Sequence, residues 1–263
     1  MLVNERIEFI VDWIKGYSDK VKFNPVSLII GVSGGVDSAV ASTLSAKTKL
    51  KTIAVSMPIR QNSEQHHLSL QHLEWLKSKY NNVETKIIEL DHVFNSFEKE
   101  MSEYENKLAF ANSRSRLRMI TLYQIAQSSN GIVVGTGNKV EDFGVGFFTK
   151  YGDGGVDISP IADLYKSEVY SLANSLDVIQ EIQDAAPTDG LWEDGRTDEE
   201  QIGATYDELE WAMREHEKPT GEILNERQKT VMGIFLKLNT LNSHKMKPIP
   251  VFINKDRATM GDD

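Results

Sequence analysis

The sequence predicts an α/β fold, a doubly wound and mostly parallel sheet with helices on both faces. Three observations carry that expectation. Short apolar runs rich in β-branched residues, at Ser27–Val32, Thr52–Met57, Val83–Leu90 and Ile132–Gly135, alternate with segments at helical spacing, as strands joined by crossover helices do. The first run passes without a spacer into the turn Ser33-Gly34-Gly35 and straight on into a helix. The chain of 263 residues, 40% hydrophobic and 26% charged, is long enough to bury a large core in one α/β domain. Internal repeats, low-complexity tracts and linkers are absent, so a single domain over residues 1–263 is expected.

The elements follow in order. Ile7, Ile10, Val11, Ile14 and Tyr17 recur at helical spacing and predict a first amphipathic helix. The first strand, Ser27–Val32, feeds the glycine turn and a helix from Asp37 to about Lys47. Pro58 stops the second strand, and a helix from Ser63 to Tyr80 ends at Asn81-Asn82. After the third strand, helices are expected over Val93–Tyr104 and Leu108–Ser128, and Asn130-Gly131 turns the chain into the fourth strand. Residues 136–160 then read as a glycine-rich loop, and loops of that length inside a domain are usually functional. Helices at Tyr165–Leu176, Asp198–Glu215 and Glu222–Asn242, a polar loop at Pro187–Thr197 and a tail at Met246–Ile253 complete the chain.

Composition excludes several chemistries. Without cysteine there are no disulfides, thiolate zinc sites or cysteine nucleophiles, and the chain suits a reducing, cytoplasmic compartment. A formal net charge of −10 argues against nucleic acid as a main partner, because phosphate backbones want basic faces. The charged, amphipathic N-terminus is not a signal peptide, and no apolar run is long enough to span a membrane.

Chemistry concentrates in four places. Gly31-Val32-Ser33-Gly34-Gly35-Val36-Asp37-Ser38 puts backbone N–H groups and a helix N-terminus above a strand end, where phosphate binds. Asp37 beside such a cradle is repulsive unless a cation intervenes, so Mg²⁺ is implied. Arg114, Arg116 and Arg118 alternate on a helix, with Arg114 and Arg118 on one face and Arg116 roughly opposite. They form either a solvated, ion-paired face or, for Arg116, a contact to an anion or a facing subunit. Gly135-Thr136-Gly137-Asn138-Lys139-Val140-Glu141 follows the fourth strand, offering Thr136 to an adenine or ribose and Glu141 as a second metal carboxylate. Phe147-Phe148-Thr149-Lys150-Tyr151-Gly152-Asp153-Gly154-Gly155-Val156-Asp157 combines aromatics with charges of both signs, and Lys166 opens a helix where a phosphate-binding cation is useful. His66, His67 and His72 share a helix without metal-ligand spacing and read as surface residues.

The glycine turn resembles the PP-motif of ATP-pyrophosphatases. With NSRSRLRM, GTGNKVE, GFFTKYGDGGVD, LYKSEV, PTDGL, DEEQIGATYDELE and a final His244-Lys245, the chain resembles the ammonia-dependent NAD⁺ synthetase family from residue 31 to residue 245. That resemblance implies a Rossmann-like, adenine nucleotide alpha-hydrolase-like fold, with ATP as co-substrate and Mg²⁺ as cofactor. It implies ATP binding by Gly31–Ser38, Thr136, Lys166 and Thr188, and Mg²⁺ held by Asp37 and Glu141. Arg116, Lys150, Asp157, His244 and Lys245 would hold deamido-NAD⁺, which ammonia converts to NAD⁺ through an acyl-adenylate with release of AMP and pyrophosphate. Asp37 and Lys166 would serve the adenylation, and Asp153 is a candidate general base. The family is homodimeric with its dinucleotide site at the subunit boundary, which would account for Arg116 lacking an evident partner in its own chain. A cysteine nucleophile for glutamine is absent, so free ammonia is expected unless a separate glutaminase docks. Met57-Pro58-Ile59-Arg60-Gln61 departs from the family pattern and puts Arg60 near the expected adenine pocket. The competing readings are another PP-motif enzyme, such as a GMP-synthetase-like amidase, and a nucleotide-binding protein without turnover.

Overall fold

Four strands, all parallel, lie in the order β3-β2-β1-β4: β1 Ser27–Gly31, β2 Thr52–Ser56, β3 Val83–Ile87 and β4 Gly131–Val134. The computed structural model describes residues 1–21, 26–188 and 197–254. The chain winds outward from β1 to β3, then returns to place β4 on the other side of β1. The strand order therefore reverses between β1 and β4, and in open α/β sheets ligands bind beyond the carboxyl ends at such a point. Ile158 makes a bridge beside Val134, so part of the expected loop runs along β4.

Side chains alternate across the sheet. Leu28, Ile30 and Ala54 face one core cluster with helices α1 (Val3–Ser18), α2 (Val36–Lys47) and α6 (Lys166–Ser175). Ile29, Ile53 and Val133 face the other, with α4 (Asp91–Glu100) and α5 (Lys107–Ser128). This is the doubly wound arrangement that the strand pattern predicts, with the period of two separating the two faces. Helix α3 (Ser63–Lys79) packs beside β2 and β3. A third cluster joins a π-helical turn, Val140–Val145, to α9 (Tyr206–Glu217) and α10 (Glu226–Met246). Short helices α7 (Gln180–Asp184) and α8 (Asp198–Ile202) link α6 to α9. Among the described residues no helix is long and apolar enough to cross a membrane.

Several expected boundaries move. The edge strand β3 stops at Ile87 rather than Leu90, and its last two residues are exposed. The helix expected over Val93–Tyr104 is α4 followed by a 3₁₀ turn at Ser102–Tyr104. The helix expected over Asp198–Glu215 is two helices. Gly203, at φ 88°, ends α8, and Thr205 caps α9 by accepting from the Glu208 N–H. Asn225 caps α10, so that helix begins at Glu226 rather than Glu222. Asp189, Gly190 and Leu191 of the PTDGL segment lie outside the described residues.

His72 is not a surface residue. It is fully buried on α3, its Nε2 is 2.9 Å from Ser42 Oγ, and its ring stacks on Trp75. The buried stripe of α3 is Ser69, His72, Leu73 and Leu76, half of it polar, which hides the stripe from a search for apolar periodicity.

Candidate active site

The glycine turn sits at the carboxyl end of β1. Gly34 has φ +95°, a left-handed value that suits glycine, and a Cβ there would come within 2.4 Å of the Gln65 carbonyl on α3. The turn is braced by its own hydroxyls. Ser33 N–H donates to Ser38 Oγ at 3.2 Å, Gly35 N–H to Ser33 Oγ at 3.3 Å, and Ser38 Oγ–H to the Gly35 carbonyl at 2.9 Å. Gln61 adds an outer brace, donating from Nε2 to the Ser33 carbonyl at 3.1 Å. The Ser33 and Gly35 N–H groups are thus taken up by the turn's own hydroxyls, while the start of α2, Val36–Ser38, lines the space above, where a helix N-terminus favours phosphate oxygens.

Three elements converge above that turn. Lys166, the first residue of α6 and 3% exposed, donates from Nζ to Asp37 Oδ2 and lies 3.4 Å from Glu141 Oε1. Burial works against the Lys166 ammonium, but Asp37 and Glu141 outweigh it and hold its pKa above the ordinary lysine value. Burial raises the pKa of Glu141, and Lys166 opposes that rise. Asn138 donates from Nδ2 to Asp37 Oδ1 at 3.3 Å, and the Tyr206 hydroxyl donates to Glu141 Oε1 at 2.5 Å. Asp37 and Glu141 thus both reach one ammonium. Two convergent carboxylate oxygens beside a phosphate turn form the hard donor set that Mg²⁺ takes together with phosphates and water. No cluster of three or more potential metal ligands occurs among the described residues.

A cavity of about 770 Å³ opens over this knot, within the range of small-molecule sites. Gly31–Ser38, Thr136, Glu141, Asp153, Lys166, Thr188 and Lys245 all line it. Asp142, also on the wall, is pushed up to about 8 by burial first, then by Glu141, Asp153 and Asp37. The far end is built by main-chain carbonyls. On α10, Asn239 and Asn242 donate to the Gly144 and Val145 carbonyls at 2.7 and 2.8 Å, and Lys245 Nζ donates to the Phe148 carbonyl at 2.8 Å. Lys150 Nζ returns the contact, donating to the His244 carbonyl at 3.0 Å.

The family model for NAD synthase matches residues 6–249. The chain belongs to the NAD synthase family. The NH(3)-dependent NAD(+) synthetase of Mesoplasma florum is 37% identical over 249 residues, 93% of this chain and 95% of that protein. The solved NMN synthetase of Francisella tularensis is similar with a TM-score of 0.82 and 34% identity, over 95% of this chain and 98% of its own. The NH3-dependent NAD synthetase of Campylobacter jejuni, solved with a nitrate ion, has a TM-score of 0.78 and 26% identity, over 96% and 100%. In this NAD synthase family member the expected parallel sheet is in place, with the glycine turn at the carboxyl end of β1, and the protein is a ligase by family.

The remaining expected site residues are distributed as follows. Arg116, Lys150, Lys245 and His244 gather where the 147–153 loop meets the end of α10, but only Lys245 lines the cavity. Arg116 has a partner in its own chain after all, since its Nε donates to the Lys150 carbonyl at 3.2 Å. Asp157 sits apart at the sheet, accepting from Val133 N–H at 2.7 Å and from the Tyr123 hydroxyl at 3.0 Å. Asp153 Oδ1 accepts from Ser115 Oγ–H at 2.6 Å and Thr149 N–H at 3.1 Å, which ties the loop to α5. Arg60 turns away from the cavity toward α4, paired with Glu98 at 2.6 Å and lying over the Phe94 ring. Arg114 covers the same ring and is nearly buried, so the arginine run is not simply a solvated face. Sequence reasoning missed Tyr206, Asn138 and Asp142. Asn138 and Asp142 lay inside or beside GTGNKVE and Tyr206 inside DEEQIGATYDELE, but neither motif by itself singled out these side chains.

Proposed function

We propose that this chain amidates deamido-NAD⁺ to NAD⁺ with free ammonia, using ATP and releasing AMP and pyrophosphate, in the cytoplasm. The observation that carries this reading is the convergence of Asp37, Glu141 and Lys166 over the phosphate turn at the β1–β4 reversal. A carboxylate resists ammonia because its leaving group would be oxide. An oxygen of the nicotinate carboxylate therefore attacks the α-phosphorus of ATP, and the bond from that phosphorus to the β,γ-pyrophosphate breaks. Ammonia then adds to the acyl carbon, the bond to AMP breaks, and the nitrogen loses a proton.

Gly31–Ser38 cradle the ATP phosphates, with Thr136, Thr188 and Lys166 completing the nucleotide site. Lys166 meets the charge that builds on departing pyrophosphate. Asp37 and Glu141 would hold Mg²⁺, which supplies charge neutralisation on the phosphates when bound. Arg116, Lys150, His244 and Lys245 hold deamido-NAD⁺, Asp157 acts only behind them from its place at the sheet, and Asp153 takes the proton from the attacking nitrogen. The rest is positioning, with no covalent enzyme intermediate required. We place the dinucleotide at the boundary of a homodimer, because Arg116 is exposed and Lys150 borders Tyr151 on an open groove with Ile120 and Tyr123.

Incubation with ATP, Mg²⁺, ammonium and deamido-NAD⁺ should yield NAD⁺, AMP and pyrophosphate in equal amounts, and failure to form any of them removes the reading. Glutamine in place of ammonium should give no product unless a glutaminase partner is added. The likeness to the Francisella NMN synthetase favours a second reading, in which nicotinate mononucleotide is the acid amidated. A comparison of kcat/KM for the mononucleotide and the dinucleotide separates the two. Xanthosine monophosphate in the same assay should be inert.

A further inference from the structure

Helix α9 does more than close the third core cluster. Tyr206 and Glu210 stand one turn apart on it, each 5% exposed, and both reach the first turn of α6 or the groups around it. The Tyr206 hydroxyl donates to Glu141 Oε1 at 2.5 Å and lies 3.1 Å from Asp198 Oδ2, while its ring centroid lies 4.5 Å from Lys166 Nζ. Glu210 grips the neighbouring residue. Its Oε1 accepts from Ser167 N–H at 2.8 Å and its Oε2 from Ser167 Oγ–H at 2.7 Å. The first turn of a helix carries unsatisfied N–H groups and partial positive charge, so a buried carboxylate there anchors it.

Lys166 is therefore held at both ends. Glu210 fixes the helix turn that carries its Cα, and the Tyr206 ring lies against its ammonium. A free lysine side chain samples many rotamers, and a group already in place needs no reorganisation when charge develops. The same tyrosine holds the Glu141 carboxylate, so one side chain sets the spacing between that acid and the lysine.

We propose that Tyr206 and Glu210 are positioning residues of this site, fixing Lys166 and Glu141 relative to the phosphate turn. The proposal rests on the reading of Lys166 as the cation that receives pyrophosphate. Neither residue touches the reacting atoms, so their loss should lower turnover without weakening capture of the acid substrate.

The test compares Tyr206→Phe, Glu210→Ala and Glu210→Gln with the natural chain in three measurements. These are pyrophosphate release from ATP with Mg²⁺, ammonium and deamido-NAD⁺, amide hydrogen exchange across the first turn of α6, and thermal unfolding. Tyr206→Phe, which keeps the ring, should lower kcat by about 10- to 100-fold, with KM for deamido-NAD⁺ changed by less than about twofold. Glu210→Ala should do the same and speed exchange at Ser167 by at least about tenfold, the range of one lost hydrogen bond. Glu210→Gln keeps an acceptor for the Ser167 amide and should recover part of both losses. If Glu210→Ala does not fold, Tyr206→Phe and Glu210→Gln carry the comparison. A kcat within about twofold of the natural chain for both Tyr206→Phe and the folded Glu210 variant overturns the proposal, as does a loss confined to KM. If the natural chain releases no pyrophosphate, the functional reading falls. The exchange comparison then decides alone, and unchanged Ser167 protection in the Glu210 variant overturns the anchoring.

Discussion

At the scale of single residues, charge and burial decide what each group can do. Asp153 is one case. It ties the 147–153 loop to α5 through Ser115 and Thr149, and it is also the proposed proton acceptor. Asp153→Asn keeps an acceptor oxygen for those two donors but removes the base, so kcat should fall by about 100-fold while the thermal transition stays put, in line with general base catalysis. Full activity in that variant would remove the assigned role. His72 is another case. Burial lowers its pKa to about 4 from an ordinary 6.5, so the unfolded chain binds the proton first as pH falls. Stability should therefore be complete above about pH 6.5 and drain away toward pH 4, by on the order of 2 kcal/mol at pH 5. Denaturant melts of the natural chain and His72→Gln at pH 7 and pH 5 check this, since the glutamine variant should lack that part of the slope. The sequence concealed His72 because its buried stripe is half polar, with Ser69 Oγ donating to the Val32 carbonyl at 2.8 Å and lying 2.9 Å from Ser56 Oγ.

At the scale of elements, local signals were readable and long-range ones were not. The strands, the phosphate turn and α2 lie close to where the sequence pattern puts them, because apolar runs and glycines act over a few residues. Helix α9 was expected as the continuation of a longer helix, although Gly203 as a stop and the Thr205–Glu208 capping box as a restart are the local signals that divide it. The roles of Tyr206 and Glu210 depend on α6, some forty residues away, and no spacing within α9 encodes them. The turn between β1 and α2 gives a prediction at this scale. Gly34→Ala forces a left-handed φ on a Cβ-bearing residue, which costs about 1–2 kcal/mol, and drives that Cβ into the Gln65 carbonyl. The variant should melt lower than the natural chain and release no measurable pyrophosphate, whereas Gly233→Ala, mid-helix on α10 with no atom within 4 Å of its new Cβ, should release pyrophosphate like the natural chain and melt no lower.

The whole molecule shows a surface that its own chain leaves uncovered. Phe9, Trp13 and Tyr17 on α1 and Ile120 and Tyr123 on α5 are all exposed, and Tyr17 lies close enough to Tyr123 to affect its ionisation. Apolar groups gathered in this way mark association surfaces, so the natural chain should sediment as a dimer. Ile120→Glu should shift it to monomer, with a higher KM for deamido-NAD⁺ and a thermal transition lowered by loss of the partner. A dimer unaffected by that change would place the boundary elsewhere. The site itself draws on the full span of the chain, with Asp37 near one end, Glu141 and Lys166 in the middle and Tyr206 beyond them. That span bears on how the protein is made. A nascent or truncated chain ending before Tyr206 already contains all four strands and the phosphate turn, yet lacks the side chain that braces Glu141 against Lys166. The knot of Asp37, Glu141 and Lys166 is therefore completed only once the chain extends into α9.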